Sequence, residues 1–257
     1  VYVKVADGSN TAHVEAFTIS VTNVNDNSPS AMALSAATVA EDASAGTDIG
    51  TLSTTDADAS GNAHVYTLVT DSGGATAYSG TDFAIDSAVL EVGTNPSIDF
   101  ETAESHTVYV KVADGSNTAH VEAFTISITD VNDNSPDFPA GSTASASVEE
   151  GATTVGTYTA TDADGTTAHN TLTYEITGGA DETLFSVVST TGAISFSTAP
   201  DYDSGTACAA GNSCVVELTV SDTEDTDTIT VTVAITDAND QAPTYSGGDV
   251  TPSVTEG

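Results

Sequence analysis

Asp130-Val131-Asn132-Asp133-Asn134-Ser135-Pro136 is a run of carboxylates and carboxamides closed by a proline, and its pattern occurs three times in 257 residues. The other copies are Asn23-Val24-Asn25-Asp26-Asn27-Ser28-Pro29 and Asp237-Ala238-Asn239-Asp240-Gln241-Ala242-Pro243. Asp26, Asp133 and Asp240 recur at an interval of 107 residues (133 − 26, and again 240 − 133). Isolated charges are costly to bury, so such a run belongs at a surface junction. Hard oxygen ligands packed this closely look like half of a calcium site.

Working outward from the junction, residues 1–29 repeat at 108–136 with only Val21/Ile128 and Asn23/Asp130 changed, the mark of a tandem array. Val108, Val110 and Val112 alternate with Tyr109 and Lys111, Gly115-Ser116-Asn117 turns the chain, and Phe124, Ile126 and Ile128 alternate with Thr125, Ser127 and Thr129. That is an antiparallel strand pair with one buried and one wet face. Further short strands are expected at 37–40, 48–54, 65–69, 83–85 and 89–92, then at 155–160, 172–176, 185–188, 194–196, 215–220 and 229–235. About seven strands in roughly 105 residues is the size of an immunoglobulin-like β-sandwich. The expected organisation is all-β: a terminal strand pair at 1–28, complete repeats at 29–135 and 136–242, and the start of another at 243–257. The two terminal fragments lack middle strands and so could not complete one another between chains. Because the chain opens without Met and in mid-repeat, it is read as a piece of a longer array whose targeting signals lie elsewhere.

Thirty-eight acids stand against Lys4 and Lys111 alone, with no arginine, for a net charge of -36. Phosphate recognition rests on Lys and Arg, which argues against nucleic acid or an anionic membrane as partner; the charge invites cations. General adaptation to salt is the bland alternative. No apolar run is long enough to insert in a membrane, and no signal peptide is present. Cys208 and Cys214, six apart around Gly211-Asn212, read as a small disulfide in an oxidising compartment in preference to two free thiols; a zinc site lacks nearby His.

Four acidic elements recur in order. A glutamate follows the junction at Glu41, Glu150 and Glu256; Asp-Ala-Asp occurs at Asp56/Asp58 and Asp162/Asp164; an acid-aromatic-acid triplet occurs at Asp99/Glu101 and Asp201/Asp203; and an aspartate ends the penultimate strand at Asp7, Asp114 and Asp222. In a period-two strand both acids of Asp-x-Asp point the same way and can share a cation. Carboxylates this close raise one another's pKa unless a divalent ion lies among them. A loose cage of many oxygens suits calcium better than magnesium.

With these motifs in their order, essentially the whole chain resembles tandem extracellular cadherin repeats. The resemblance implies Greek-key sandwiches in a linear array, with about three Ca2+ ions per inter-repeat junction. Carried over by position, Glu41, Asp99, Glu101, Asp133 and the Val131 carbonyl would hold two ions at the middle junction. Asn132, Asp162, Asp164, Asp222, the Asn134 carbonyl and one near Asn170 would hold a third, Asp164 being shared. The first junction keeps Asn25, Asp26, Asp56, Asp58, Asp114 and the Asn27 carbonyl; the last keeps Glu150, Asp201, Asp203, Asp240, the Ala238 carbonyl and Asn239. Asp203 stands where the family usually has glutamate, Phe100 and Tyr202 where it has arginine, and Gln241 where it has the last linker Asn.

Any single triplet reads as a solvated turn; the ordered, repeated set is what carries the metal reading. No catalytic triad, phosphate loop or His-Glu-x-x-His occurs, and the five histidines read as polar strand residues, so an enzyme is not expected. The expected function is a calcium-rigidified extracellular array for cell-surface adhesion, or a surface stalk or filament, whose partners are calcium, neighbouring repeats, and copies of itself or another surface protein. The alternative is a ligand-binding or spacer module of a larger secreted enzyme or adhesin. Scarce lysine and repeat homogeneity lean toward a microbial source.

Overall fold

The structure, a computed structural model, describes residues 1–58, 63–245, 247–248 and 254–256, so part of the terminal fragment expected at 243–257 lies outside the described residues. The chain divides into two compact units, Val1–Val131 and Asn132–Gly257. Among the described residues every regular element is a strand except a 3-10 turn at Glu182–Leu184.

The first unit holds strands β1 (Tyr2–Val5), β2 (His13–Ala16), β3 (Ala31–Leu34), β4 (Thr38–Ala40), β5 (Asp48–Thr55), β6 (Val65–Val69), β7 (Phe83–Asp86), β8 (Val89–Val92), β9 (Ser105–Ala113) and β10 (His120–Thr129). One sheet runs β4-β10-β9-β6, the other β3-β5-β8-β7. All neighbours are antiparallel except β4 and β10, which run parallel. The alternation read in β9 and β10 is real: Val110, Val112 and Ile126 are fully buried, while Thr107, Thr125 and Ser127 face water. Ile126 packs with Ile49, Phe83, Leu90 and Val92 of the opposite sheet, and Val110 and Val112 pack with Met32 and Leu52 of that sheet, a sandwich core.

The second unit holds β11 (Thr143–Glu149), β12 (Thr154–Thr157), β13 (Thr173–Gly178), β14 (Phe185–Val188), β15 (Ala193–Phe196), β16 (Ser213–Ser221) and β17 (Thr226–Thr236). The sheets are β11-β17-β16-β13 and β12-β15-β14, enclosing Phe138, Phe185, Ile194, Leu218, Ile229 and Val231. Cys208 and Cys214 form a disulfide, and buried Asp181 accepts the amides of Ala209 and Val215 at 2.6 and 2.8 Å, tying down the loop that the disulfide closes.

Three expectations shift. The strand expected at 155–160 ends at Thr157, so Asp162/Asp164 follow an isolated bridge of Thr161 to Asp137 instead of closing a strand. Strands β3 and β11, not anticipated, supply the first edge of each unit. The third concerns β1 and β2, which do pair, Tyr2 opposite Ala16, but with both faces exposed.

Candidate metal centre

Each complete repeat presents two oxygen-rich places, and the strand order creates both. In the first unit the parallel pairing of β4 with β10 brings Glu41 beside the chain leaving β10. The Glu41 amide donates to the Thr129 carbonyl at 3.2 Å. Glu41 is 7% exposed, and its carboxylate accepts Phe100 N at 2.6 Å and Val131 N at 2.8 Å. One glutamate therefore joins the triplet to the start of the linker, and oxygens of Glu41, Asp99 and Glu101 lie within 4.8 Å of one another. The hydroxyl and amide of Thr102 hold Asp99 below the usual carboxylate range.

The second unit repeats the device. Pairing of β11 with β17 delivers Glu150, which accepts Tyr202 N at 2.6 Å and Ala238 N at 2.9 Å. Those amides hold its pKa down. Glu150, Asp203 and Asp240 converge within 4.8 Å, and burial, then the charges of Glu150, Asp237 and Asp240, push Asp203 up. Asp201 is not in that group; Ser204 N donates to it at 3.1 Å. Asn239 and Glu256 are exposed, and the Ala238 carbonyl accepts Asp240 N at 2.8 Å. Asp7 closes its own exposed turn through the amides of Ser9 and Asn10, which with the Asn10 side chain lower its pKa to about 2.

The other place is a cradle between an Asp-x-Asp turn and the hairpin that follows the penultimate strand. In the first unit Asp58 N donates to Asp56 Oδ1 at 3.0 Å, and Asp26 N and Asn27 N donate to Asp58 Oδ2 at 3.2 and 2.8 Å. Asp114 accepts the amides of Ser116 and Asn117 and the Asn117 side chain; the side chain first, then the amides, lower its pKa to about 2. His64, read as a plain strand residue, instead places Nε2 3.1 Å from Asp56 Oδ2.

In the second unit Asp162, Asp164 and Asp222 come within 4.8 Å of one another, with Asp164 2% and Asp222 0% exposed. Asp164 N donates to Asp162 Oδ1 at 3.0 Å, Asn134 N and Nδ2 to Asp164 Oδ1 at 3.3 and 3.0 Å, and Asn170 Nδ2 to the Asp164 carbonyl at 2.8 Å. Asn134 Nδ2 also reaches Asp133 Oδ1 at 2.8 Å. Burial, then the charges of Asp164 and Asp222, push Asp162 up. Burial acts the same way on Asp222, but the amides of Asp225 and Glu224 and the Asn132 side chain outweigh it and bring its pKa down.

These residues fit a divalent cation. Asp162 Oδ2 is buried with no hydrogen-bond partner, a costly state for a carboxylate oxygen. The Asn132 carboxamide lies 2.9 Å from Asp164 Oδ2 and 3.1 Å from Asp222 Oδ2: turned one way its nitrogen donates to both, turned the other it adds an oxygen to the cradle. No Lys or Arg exists anywhere from Asn132 onward to balance three carboxylates. The donors are all oxygen, the set that calcium takes.

One backbone feature separates the two cradles. Asp114 is followed by Gly115 at φ 86, and Asp222 by Thr223 at φ 104, a region a β-branched residue seldom enters. Thr223→Gly is expected to stabilise the second unit by about 1 kcal/mol, read from urea midpoints, because the strain exceeds the entropy glycine adds.

With fold and sites in hand, a family model described as "Cadherin domain" matches residues 35–129 and 144–236. The class is thus a tandem of cadherin-type sandwiches, and the chain belongs to the cadherin family, whose repeats are structural and adhesive modules, not enzymes. It is 30% identical over 249 residues to mouse "Cadherin EGF LAG seven-pass G-type receptor 2", covering 93% of this chain and 8% of the relative. It is 29% identical over 268 residues to human "Protocadherin Fat 1", covering 99% and 5%. Among solved structures it resembles the "Protocadherin gammaB7 EC3-6 cis-dimer structure", TM-score 0.68 at 19% identity over 97% of this chain and 59% of that one. The "Protocadherin GammaB4 extracellular domain" gives 0.67 at 21%, over 90% and 36%. The chain therefore spans less than a tenth of the length of these curated relatives. No helix among the described residues is long and apolar enough to cross a membrane.

Proposed function

We propose that the chain is part of an extracellular adhesion array whose repeats take up calcium at the junctions, about three ions each, and are stiffened by it. The observation that carries this is the partnerless, buried Asp162 Oδ2 among Asp164, Asp222 and Asn132, in a stretch without Lys or Arg. Glu41 and Glu150, each clamping a triplet amide and a linker amide, support a metal-braced linker: an ion on those acids would couple its binding free energy to linker order. The disulfide and family membership favour an extracellular setting. At the first cradle the proposed ligands are Asn25, Asp26, Asp56, Asp58, Asp114 and the Asn27 carbonyl. In the first unit's other place they are Glu41, Asp99, Glu101 and the Val131 carbonyl; in the second unit's cradle they are Asn132, Asp133, the Asn134 carbonyl, Asp162, Asp164 and Asp222. Calorimetric titration of the 257-residue chain with calcium, paired with limited proteolysis, tests the reading. Calcium uptake and protection of the linkers are expected; cleavage at the same rate in millimolar calcium and in chelator would refute stiffening.

A further inference from the structure

Asn117 has no place in the ligand set proposed above, yet its side chain enters the first cradle. Its Nδ2 lies 2.8 Å from Asn25 Oδ1, 2.8 Å from the Asn27 carbonyl, 2.8 Å from Asp114 Oδ2 and 3.5 Å from the Asn25 carbonyl. A primary amide carries two hydrogens, so it cannot serve four oxygens well. One carboxylate oxygen, one carboxamide oxygen and two peptide carbonyls converging on a point are the chemistry of a calcium shell. The partially positive N–H hydrogens of a carboxamide occupy that point instead.

The second cradle is built differently at the same step of the turn. Asp114-Gly115-Ser116-Asn117 is replaced by Asp222-Thr223-Glu224-Asp225, and Asp225 turns outward to accept the Ser135 hydroxyl at 3.1 Å. No amide nitrogen of that turn's side chains enters the cradle. Asn132 can present oxygen there by rotating its own carboxamide, without another residue leaving. Asn10 repeats the Asn117 geometry on Asp7, Nδ2 to Oδ2 at 2.6 Å, so the inward amide belongs to the Asp-Gly-Ser-Asn turn.

We propose that Asn117 is a built-in competitor for the cation of the first cradle, so that the second cradle fills at lower calcium and the first only after the carboxamide is expelled. This rests on the calcium reading. Giving up a charge-assisted hydrogen bond to Asp114 sets the expected handicap at about tenfold in Kd.

The test is calorimetric calcium titration of the full chain, alongside spectra of its 15N-labelled side-chain amides, for the wild type and for Asn117→Ala, Asn117→Asp and Asp225→Asn. The Asn117 amide resonances should move only in the later phase. Both substitutions at Asn117 should tighten the weaker step by about tenfold and leave the tighter one unchanged, and Asp225→Asn should weaken the tighter step. A weaker step that is unchanged or loosened in both Asn117 variants would overturn the proposal, as would movement of the amide in the first phase. Calcium uptake in equal steps overturns this inference alone, whereas no uptake by the wild type removes the calcium reading beneath it.

Discussion

Stripping calcium is expected to lower the thermal midpoint of the repeat spanning residues 144–236 by roughly 10–20 °C. An ion that binds only the folded state, present at a hundred times its Kd, adds about 2.7 kcal/mol, and a domain of this size moves about 4–8 °C per kcal/mol. The metal-free unit should be correspondingly weak, because Asp162, Asp164 and Asp222 then repel one another where two of them are nearly or fully excluded from water. Differential scanning calorimetry in 2 mM calcium (about a hundredfold excess over a Kd of ~20 μM) and in chelator measures the gap. Equal midpoints would end the idea that these carboxylates hold an ion. Full recovery by magnesium or sodium chloride would reassign the effect to screening of a chain with net charge -36.

Much of the fold was written in local pattern. The valines of Val108–Val112 and the isoleucines at 126 and 128 alternate because one face of β9 and β10 lines the core, and period two is visible without knowing what packs there. Strands β3 and β11 were not legible for the opposite reason. Ala31-Met32-Ala33-Leu34 buries only Met32 fully, and Thr143-Ala-Ser-Ala-Ser-Val-Glu149 has small, weakly apolar side chains. They are strands because β5 and β17 offer free edges, the second of them distant in sequence, which is tertiary context overriding propensity. The acids of the sites were legible because charge cannot be hidden and they repeat in order. Asn117 was not: it is neutral, reads as a turn residue, and gains its meaning from Asn25 and Asn27, about ninety positions away. Thr223 carries a signal only when set beside Gly8 and Gly115, and His64 only through its contact with Asp56.

Two substitutions in the second cradle should have opposite effects on the metal-free chain while both abolish calcium binding there. Asp222→Ala removes a fully buried carboxylate that accepts Glu224 N and Asp225 N at 2.8 Å each, so it should cost about 2–4 kcal/mol even without metal. Asp162→Asn keeps the oxygen that Asp164 N needs, and can turn a donor toward its carboxylate neighbours where Oδ2 now has no partner, so it should stabilise the metal-free unit by about 1 kcal/mol. The pH dependence separates them further. Asp162 has its folded pKa raised above 3.8, so its charge is a penalty at neutral pH that fades as pH falls through the folded value; Asp162→Asn removes that gain on acidification. Asp222 is lowered, so its contribution is present above 3.8 and is lost as pH falls through the folded value, a loss that Asp222→Ala abolishes. Urea denaturation in chelator at a series of pH values reads both slopes. If Asp162→Asn destabilises the metal-free chain as Asp222→Ala does, the cradle is an ordinary hydrogen-bonded turn and Asp162 is no ligand waiting for its ion.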